Sequence, residues 1–370
     1  VAETQNDGAL EVLPDMPPLE STKKVKRSKD PRTLKPAADH PIARIAVDMP
    51  LAHLDRPFDY LVPERLGAQA RPGVRVRVRF AGQLTDGFVL ARVDSSEHQG
   101  RLSYLERVVS AEQVLTPEIA GLARAVADRY AGTLADVLRL AIPQRHAATE
   151  TGKATGSPPI PSPDGPPPPP PPAPPPPRPE PGPWTRYPAG PAFLDAVAAG
   201  RPARAAWTAL PGPTWPEEIA RAAVTAASAG RGAVIVVPDA RDLARVDEAL
   251  AMLTARPAAP AARPAAPAAR PAEAADPEGY VTLTADLGPA ERYRRWLKAR
   301  RGQARIVVGT RAAMFAPVEN LGLVVLWDDG DDLHAEPRAP YPNAREVLAL
   351  RAHRAGAAAL IGGFARTAEL

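Results

Sequence analysis

The sequence predicts a multidomain α/β protein: a small barrel-like β domain, then a parallel α/β lobe, joined by a proline-rich linker. Three observations carry this prediction. The run Val74-Arg75-Val76-Arg77-Val78-Arg79-Phe80 alternates strictly, so its apolar side chains share one face of a strand and its arginines the other. Beyond residue 200, short continuous apolar runs alternate with stretches of helical period, the pattern of strands buried on both faces of a parallel sheet. Between these regions, residues 149–183 hold a tract in which proline is almost unbroken over 166–177. Such a tract is extended polyproline II, a semi-rigid spacer, and is expected to separate two independently folded parts.

The elements follow in order. Residues 1–40 are polar, dotted with proline, and carry a basic block of Lys23, Lys24, Lys26, Arg27, Lys29, Arg32 and Lys35. Too few apolar side chains are present to offset ordering entropy, so a disordered tail is expected, either a phosphate-contacting arm or a solubilising extension. Residues 41–148 form the first domain, with strands at 42–49, 58–62, 74–80 and 85–93 and a turn at Ala81-Gly82-Gln83. Short strands need mutual cover, and a small barrel or curled sheet provides it. Thr116 and Pro117 open a helix with Ile119, Leu122, Val126 and Tyr130 at helical spacing; Thr133 caps a second, which Pro143 ends. The lobe, 184–370, has strands at 204–210, 233–237, 281–284, 305–308, 321–327 and 357–361. Helices at 216–229, around Leu243 to Leu253, at 289–301 and at 343–355 separate them, and a Pro/Ala-rich insert fills 255–277.

Composition narrows the function classes. The 370 residues carry a formal net charge of +4, a mild basic bias that permits an anionic partner. The chain has no cysteine, which excludes disulfides and thiolate metal sites within it. No apolar run is long enough to span a bilayer and no signal-peptide pattern opens the chain, so a cytoplasmic protein without a membrane partner is expected. The chain opens on Val1 and stops at Leu370 straight after a strand-like run, features expected of a fragment or of a gene model with an alternative start.

Three stretches carry chemistry. Arg56-Pro57-Phe58-Asp59-Tyr60-Leu61-Val62-Pro63-Glu64 places a guanidinium, two aromatics and a carboxylate within five residues. Such a group can stack on a base and accept a hydrogen bond from a sugar hydroxyl. The competing reading, which alternation alone favours, makes Phe58 and Tyr60 core residues of a strand with Asp59 facing water. The arginine row of 75, 77 and 79 is likewise either a phosphate track or, the reading the pattern favours, the wet face of a sheet. In the lobe, the first strand-to-helix turn is Ala209-Leu210-Pro211-Gly212-Pro213-Thr214-Trp215-Pro216-Glu217. A phosphate loop needs glycines, free N–H groups, a lysine and a hydroxyl for magnesium; this turn has one glycine, three prolines and no lysine. After the apolar strand 323–326 comes Trp327-Asp328-Asp329-Gly330-Asp331-Asp332, where four carboxylates either hold a cation or form an exposed acidic loop.

The order of these segments resembles the PriA family of primosomal replication-restart proteins, superfamily 2 DNA helicases, in the divergent form of high-GC Gram-positive bacteria. The 56–64 stretch, Gly73 to Val78 with Gly82, and Val308-Gly309-Thr310-Arg311-Ala312-Ala313-Met314-Phe315-Ala316-Pro317 with Asn320 to Leu323 carry the likeness, which covers roughly 41–148 and 204–370. The resemblance implies an N-terminal 3′-DNA-binding domain and a RecA-like helicase lobe. It implies that Phe58, Asp59 and Tyr60 line the pocket for a terminal nucleotide, with Asp59 accepting from the 3′-hydroxyl, and that Gly82 lets the backbone approach DNA. A family lysine near the domain's end carries over only to Arg107. The departures are as telling. Trp215 and Pro216 stand at the Walker A lysine and threonine, beside Gly212 and Thr214, and Trp327-Asp328-Asp329-Gly330 stands for Asp-Glu-Glu-His. Gly362-Gly363-Phe364-Ala365 replaces the next motif, and the proline tract stands where the family has a winged helix. The family's zinc-binding insert and second lobe would lie past Leu370. The expected function is recognition of stalled or branched forks by the DNA 3′ end and help in loading the replicative machinery. Primosome and helicase-loading proteins and single-stranded-DNA-binding protein are the implied partners, and no cofactor or ATPase activity is expected. The alternative is an active ATP-dependent 3′–5′ helicase with an unusual nucleotide site.

Overall fold

The computed structural model describes residues 34–49, 51–150, 176–254, 279–284 and 286–370. The tail's basic block up to Arg32, most of the proline tract and the Pro/Ala insert lie outside the described residues.

The first domain is an antiparallel sheet of five strands: β1 (Ile42–Val47), β2 (Phe58–Leu61), β3 (Val74–Phe80), β4 (Gln83–Val93) and β5 (Arg107–Gln113), in the order β2-β1-β4-β3-β5. Alternation in β3 buries Val74, Val76 and Val78, as its sequence predicts. Ala81 and Gly82, both at positive φ (48° and 80°), make the two-residue turn that pairs Phe80 with Gln83. Positive φ at both central positions matches the right-handed twist of the flanking strands. The sheet curls shut because one stretch of chain serves both edges. Ser103 O and Leu105 N–H bond Leu61 of β2, Glu106 N–H bonds Arg77 O, and β5 then runs along β3. The enclosed core includes Ile45, Tyr60, Val76, Val89 and Leu105. β5 is absent from the sequence prediction, because Arg107-Val108-Val109-Ser110-Ala111-Glu112-Gln113 has no period of two and none of its side chains is fully buried. The fold also begins earlier than residue 41: Ala37 N–H donates to Val62 O at 2.8 Å, and Arg92 holds the carbonyls of Asp39 and His40.

Helices α1 (Pro117–Arg129) and α2 (Leu134–Ala141) start where predicted. Thr116 accepts from Ile119 N–H, and Thr133 and Asp136 form a reciprocal capping box. A short turn of helix, α3 (Ala147–Glu150), follows.

The lobe comprises α4 (Gly190–Ala198), β6 (Arg204–Thr208), α5 (Trp215–Ser228), β7 (Gly232–Val236), α6 (Ala240–Thr254) and β8 (Gly279–Leu283). It continues with α7 (Pro289–Arg300), β9 (Ala304–Gly309), β10 (Leu321–Trp327), α8 (Ala344–Ala355) and β11 (Ala358–Gly363). Its six strands are all parallel, in the order β6-β11-β10-β7-β9-β8. Both faces are buried: Val234 and Val236 of β7 join one hydrophobic core, Ala233 and Ile235 the other. Helix α4, not predicted, starts at a Gly-Pro pair with no side-chain cap to announce it.

The two regions are not independent, which corrects the expectation drawn from the linker. Residues Pro36 to Leu370 form one compact unit. Ile119, Val126 and Val137 of α1 and α2 share a core with Tyr293, Val347 and the sheet residues Val324 and Leu326. Arg351 of α8 is fully buried; it donates to Glu118 of α1 at 2.9 Å and to the carbonyls of Met314 and Ala316 at 2.8 Å each. Asn343 N–H donates to Tyr130 Oη at 3.1 Å. The segments that flank the proline tract are apolar enough to bury each other.

Candidate nucleic-acid interface

The predicted terminal-nucleotide residues lie on β2, and the pleat divides them. Tyr60 is 5% exposed and its hydroxyl donates to Arg79 O at 3.2 Å; burial pushes its phenol up to about 12. It is a core residue of the barrel. Phe58 is half-buried on the same side, edge-on to Phe80 with ring centroids 4.8 Å apart, and the Arg56 guanidinium sits 5.2 Å over its ring. Asp59 faces the other way. Its carboxylate accepts from Ser96 Oγ at 2.6 Å and stands 3.6 Å from Arg44 Nε. The three side chains therefore do not converge on one pocket.

Phe58, Phe80 and Gly82 do share one end of the barrel. Gly82 is exposed at the β3–β4 turn, and a Cβ there would meet nothing within 4 Å, so a strand of DNA has room to approach its backbone. Arg107 is exposed at the start of β5, in register with Arg77. Phe80, the last apolar position of the β3 alternation, is the partner that gives Phe58 its place. Of the arginine row only Arg79 is exposed, Arg75 and Arg77 being half-buried, and all three are committed to internal contacts. Arg77 pairs with Asp86 at 2.6 Å and Arg79 with Glu106 at 2.7 Å. Arg75 lies 4.9 Å over the Phe88 ring and donates to Pro143 O, and burial holds its pKa below the usual range.

In α/β sheets ligands bind beyond the carboxyl ends of the strands. Here that end is filled with tryptophan. Trp215, the first residue of α5, stacks on Trp327, the last of β10, with centroids 4.0 Å apart and planes 4° from parallel. Trp207 of β6 lies 5.4 Å from Trp327, Trp184 lies 5.5 Å from Trp207, and Phe364 closes on Trp327 edge-on at 5.2 Å. Trp215 and Trp327 are each 2% exposed. The turn before α5 is held from outside. Glu218, fully buried, accepts from Arg186 at 2.9 Å and from Tyr187 Oη at 3.1 Å. Arg186 also bonds Thr214, and Tyr187 Oη accepts from Leu210 N–H. Gly212 projects into open space at φ 129°.

Two carboxylates of the acidic loop have partners within the chain. Asp329 is buried and accepts from Thr367 Oγ1 at 2.5 Å, Asp331 accepts from Leu333 N–H, and Asp328 is exposed in a left-handed backbone conformation at φ 56°. Burial, then the nearby Asp331 charge, raises the Asp328 pKa. Among the described residues no three His, Asp or Glu side chains gather as a metal site. The residues present do not fit a magnesium nucleotide: an indole pair fills the carboxyl end of the sheet between α5 and β10, and the prolines of the turn before α5 lack N–H donors.

Comparison with known proteins agrees with this architecture. The family profile described as 3′DNA-binding domain (3′BD) matches residues 44–143, the barrel with α1 and α2. The molecule is thus of the class that couples a 3′-DNA-binding domain to a parallel α/β lobe. Over 319 residues it is 50% identical to a protein of Mycobacterium tuberculosis described as a probable replication restart protein PriA, covering 86% of this chain and 43% of that protein. The probable replication restart protein PriA of Mycobacterium leprae is 50% identical over 321 residues, 86% of this chain and 44% of the relative. Replication restart protein PriA of Bacillus subtilis is 34% identical over 89 residues, 24% of this chain and 11% of that one. The chain belongs to the PriA replication-restart family, and it spans less than half the length of the Mycobacterium relatives it matches. Among the described residues no helix is long and apolar enough to cross a membrane.

Proposed function

We propose that this chain reads the 3′ end of branched DNA at stalled forks and helps bring the replicative machinery to it, without binding or hydrolysing ATP. The barrel captures the end, and the lobe serves as a rigid platform for primosome, helicase-loading and single-stranded-DNA-binding partners. The observation that carries the reading is the buried Trp215–Trp327 stack at the nucleotide end of the sheet. Losing several charge-assisted contacts to the β- and γ-phosphates, at roughly 1.5–3 kcal/mol each, removes most nucleotide affinity. At the barrel, Ser96 gives Asp59 a hydroxyl donor at 2.6 Å. A terminal 3′-hydroxyl takes that donor's place with no change of charge.

The test is direct. Forks with a free 3′-hydroxyl and forks blocked by a 3′-phosphate are compared by fluorescence anisotropy, and ATP binding is measured by calorimetry with and without fork. The expected result is preference for the hydroxyl and no nucleotide heat. Magnesium-dependent ATP binding with turnover would instead establish the active-helicase alternative. Equal affinity for the two forks would leave the chain a protein-interaction platform.

A further inference from the structure

We propose that the cleft between α2, the start of α7 and the 336–340 loop is a second DNA contact, taking one nucleotide of a single strand by its phosphate and its base. This rests on the DNA-binding reading above, and it adds a site distant in sequence from the 56–64 stretch. The cleft has a volume of about 370 Å³, within the usual range of small-ligand sites, about 300–1,000 Å³. Two of the charges lining it have owners elsewhere: Arg139 pairs with Asp48 at 2.8 Å, and Glu336 with Arg311 at 3.2 Å while also accepting from Arg338 N–H. Two do not. Among the described residues, neither the Arg292 nor the Arg338 guanidinium makes a hydrogen bond or ion pair. Burial, with the Arg338 charge adding to it, holds the Arg292 pKa below its usual range. The Glu336 carboxylate attracts Arg292 but is already paired with Arg311, so the two like charges beside the cavity share only part of one acceptor, and a phosphate matches the guanidinium fork.

The site is preformed. Pro340 packs where a Cβ on Gly132 would stand, and the Tyr130 hydroxyl holds Asn343, so the Arg338 loop is pinned on the first domain. The remaining lining that reaches the surface is mostly apolar, with Leu140, Pro143, Leu287 and Pro289 beside the polar Gln144. Free phosphate has no use for that surface; the face of a base does. One wall, from Arg139 to Pro143, belongs to the 3′-DNA-binding domain itself, so a strand leaving the barrel can reach the cleft.

The experiment compares the full chain with the Arg292→Gln/Arg338→Gln double variant on forks, across a range of salt. The expected result is a salt slope smaller by about 0.7 for each single-strand phosphate released, with the hydroxyl-to-phosphate end preference intact. The Arg292→Lys/Arg338→Lys variant, keeping the charge, retains most of the slope, which separates lost contact from lost fold. An unchanged slope in the Gln variant overturns the proposal, as does inorganic phosphate alone competing as well as a short single strand. Absence of end preference in the unaltered chain sinks the functional reading instead, and leaves the slope comparison to decide this one.

Discussion

A 2.6 Å contact ties Ser96 Oγ to the Asp59 carboxylate, while the next side chain, Tyr60, is sealed in the barrel core with its hydroxyl on Arg79 O. The two are therefore separable by substitution. Asp59→Asn removes a charged acceptor and is expected to lower the preference for 3′-hydroxyl over 3′-phosphate ends about tenfold, the equivalent of ~1.5 kcal/mol; competition anisotropy measures it. Tyr60→Phe loses one neutral hydrogen bond, lowers stability by about 1 kcal/mol and leaves end preference unchanged, which urea denaturation and the same anisotropy assay check together. His334 gives a pH dependence. It is fully buried, bonds Trp327 O at 2.9 Å, and burial lowers its pKa from the ordinary 6.5. The folded state thus favours the neutral ring, and the unfolded state takes up the proton first. Stability from this residue is full above the unfolded pKa and is lost as pH falls through and below 6.5. Melting temperature is expected to fall between pH 7.5 and 5.5, and to fall less in His334→Gln.

At the scale of elements, the turn into α5 decides the nucleotide question. Restoring a lysine by Trp215→Lys is expected to leave fork-stimulated ATP turnover at background. Pro211, Pro213 and Pro216 still lack N–H groups, and Leu210 N–H is already taken by Tyr187 Oη. Turnover above background, in a phosphate-release assay, would mean the loop is close to functional. Trp215→Ala leaves a hole beneath Trp327 and is expected to cost about 3–5 kcal/mol of stability. What the sequence revealed at this scale follows from periodicity. The β3 alternation, the Ala81-Gly82 turn, the capping residues Thr116 and Thr133 and the buried strands β7 and β10 were readable because each pattern is local and strong. β5 and α4 were not, since one has no alternation and the other no cap. The tryptophan stack had half a signal: Trp215 and Trp327 each stand out as a departure from the family motif, but over a hundred residues separate them. Only the sheet order brings the ends of β6, β11 and β10 together.

The whole molecule poses a different problem, because what joins its halves is nowhere periodic. Arg351 and Glu118 are 233 residues apart, and nothing in either neighbourhood announces the pair. The proline tract suggested two bodies, while the shared core of α1, α2, α7 and α8 makes Pro36 to Leu370 one. The tryptophans make this testable without added labels, for all five lie in the lobe, at 184, 207, 215, 296 and 327. Indole fluorescence therefore reports the lobe alone, and end-selective fork binding reports the barrel. If the two share a core, urea loses both signals in a single transition with one midpoint. Glu118→Ala strips the buried Arg351 of its carboxylate and is expected to lower that common midpoint by the equivalent of about 2–3 kcal/mol, shifting both signals together. Two separated midpoints in the unaltered chain, with fork binding surviving the loss of indole signal, would return the barrel to an independent domain. The lobe would then be a passenger on the linker, not the platform that sets the barrel's orientation at the fork.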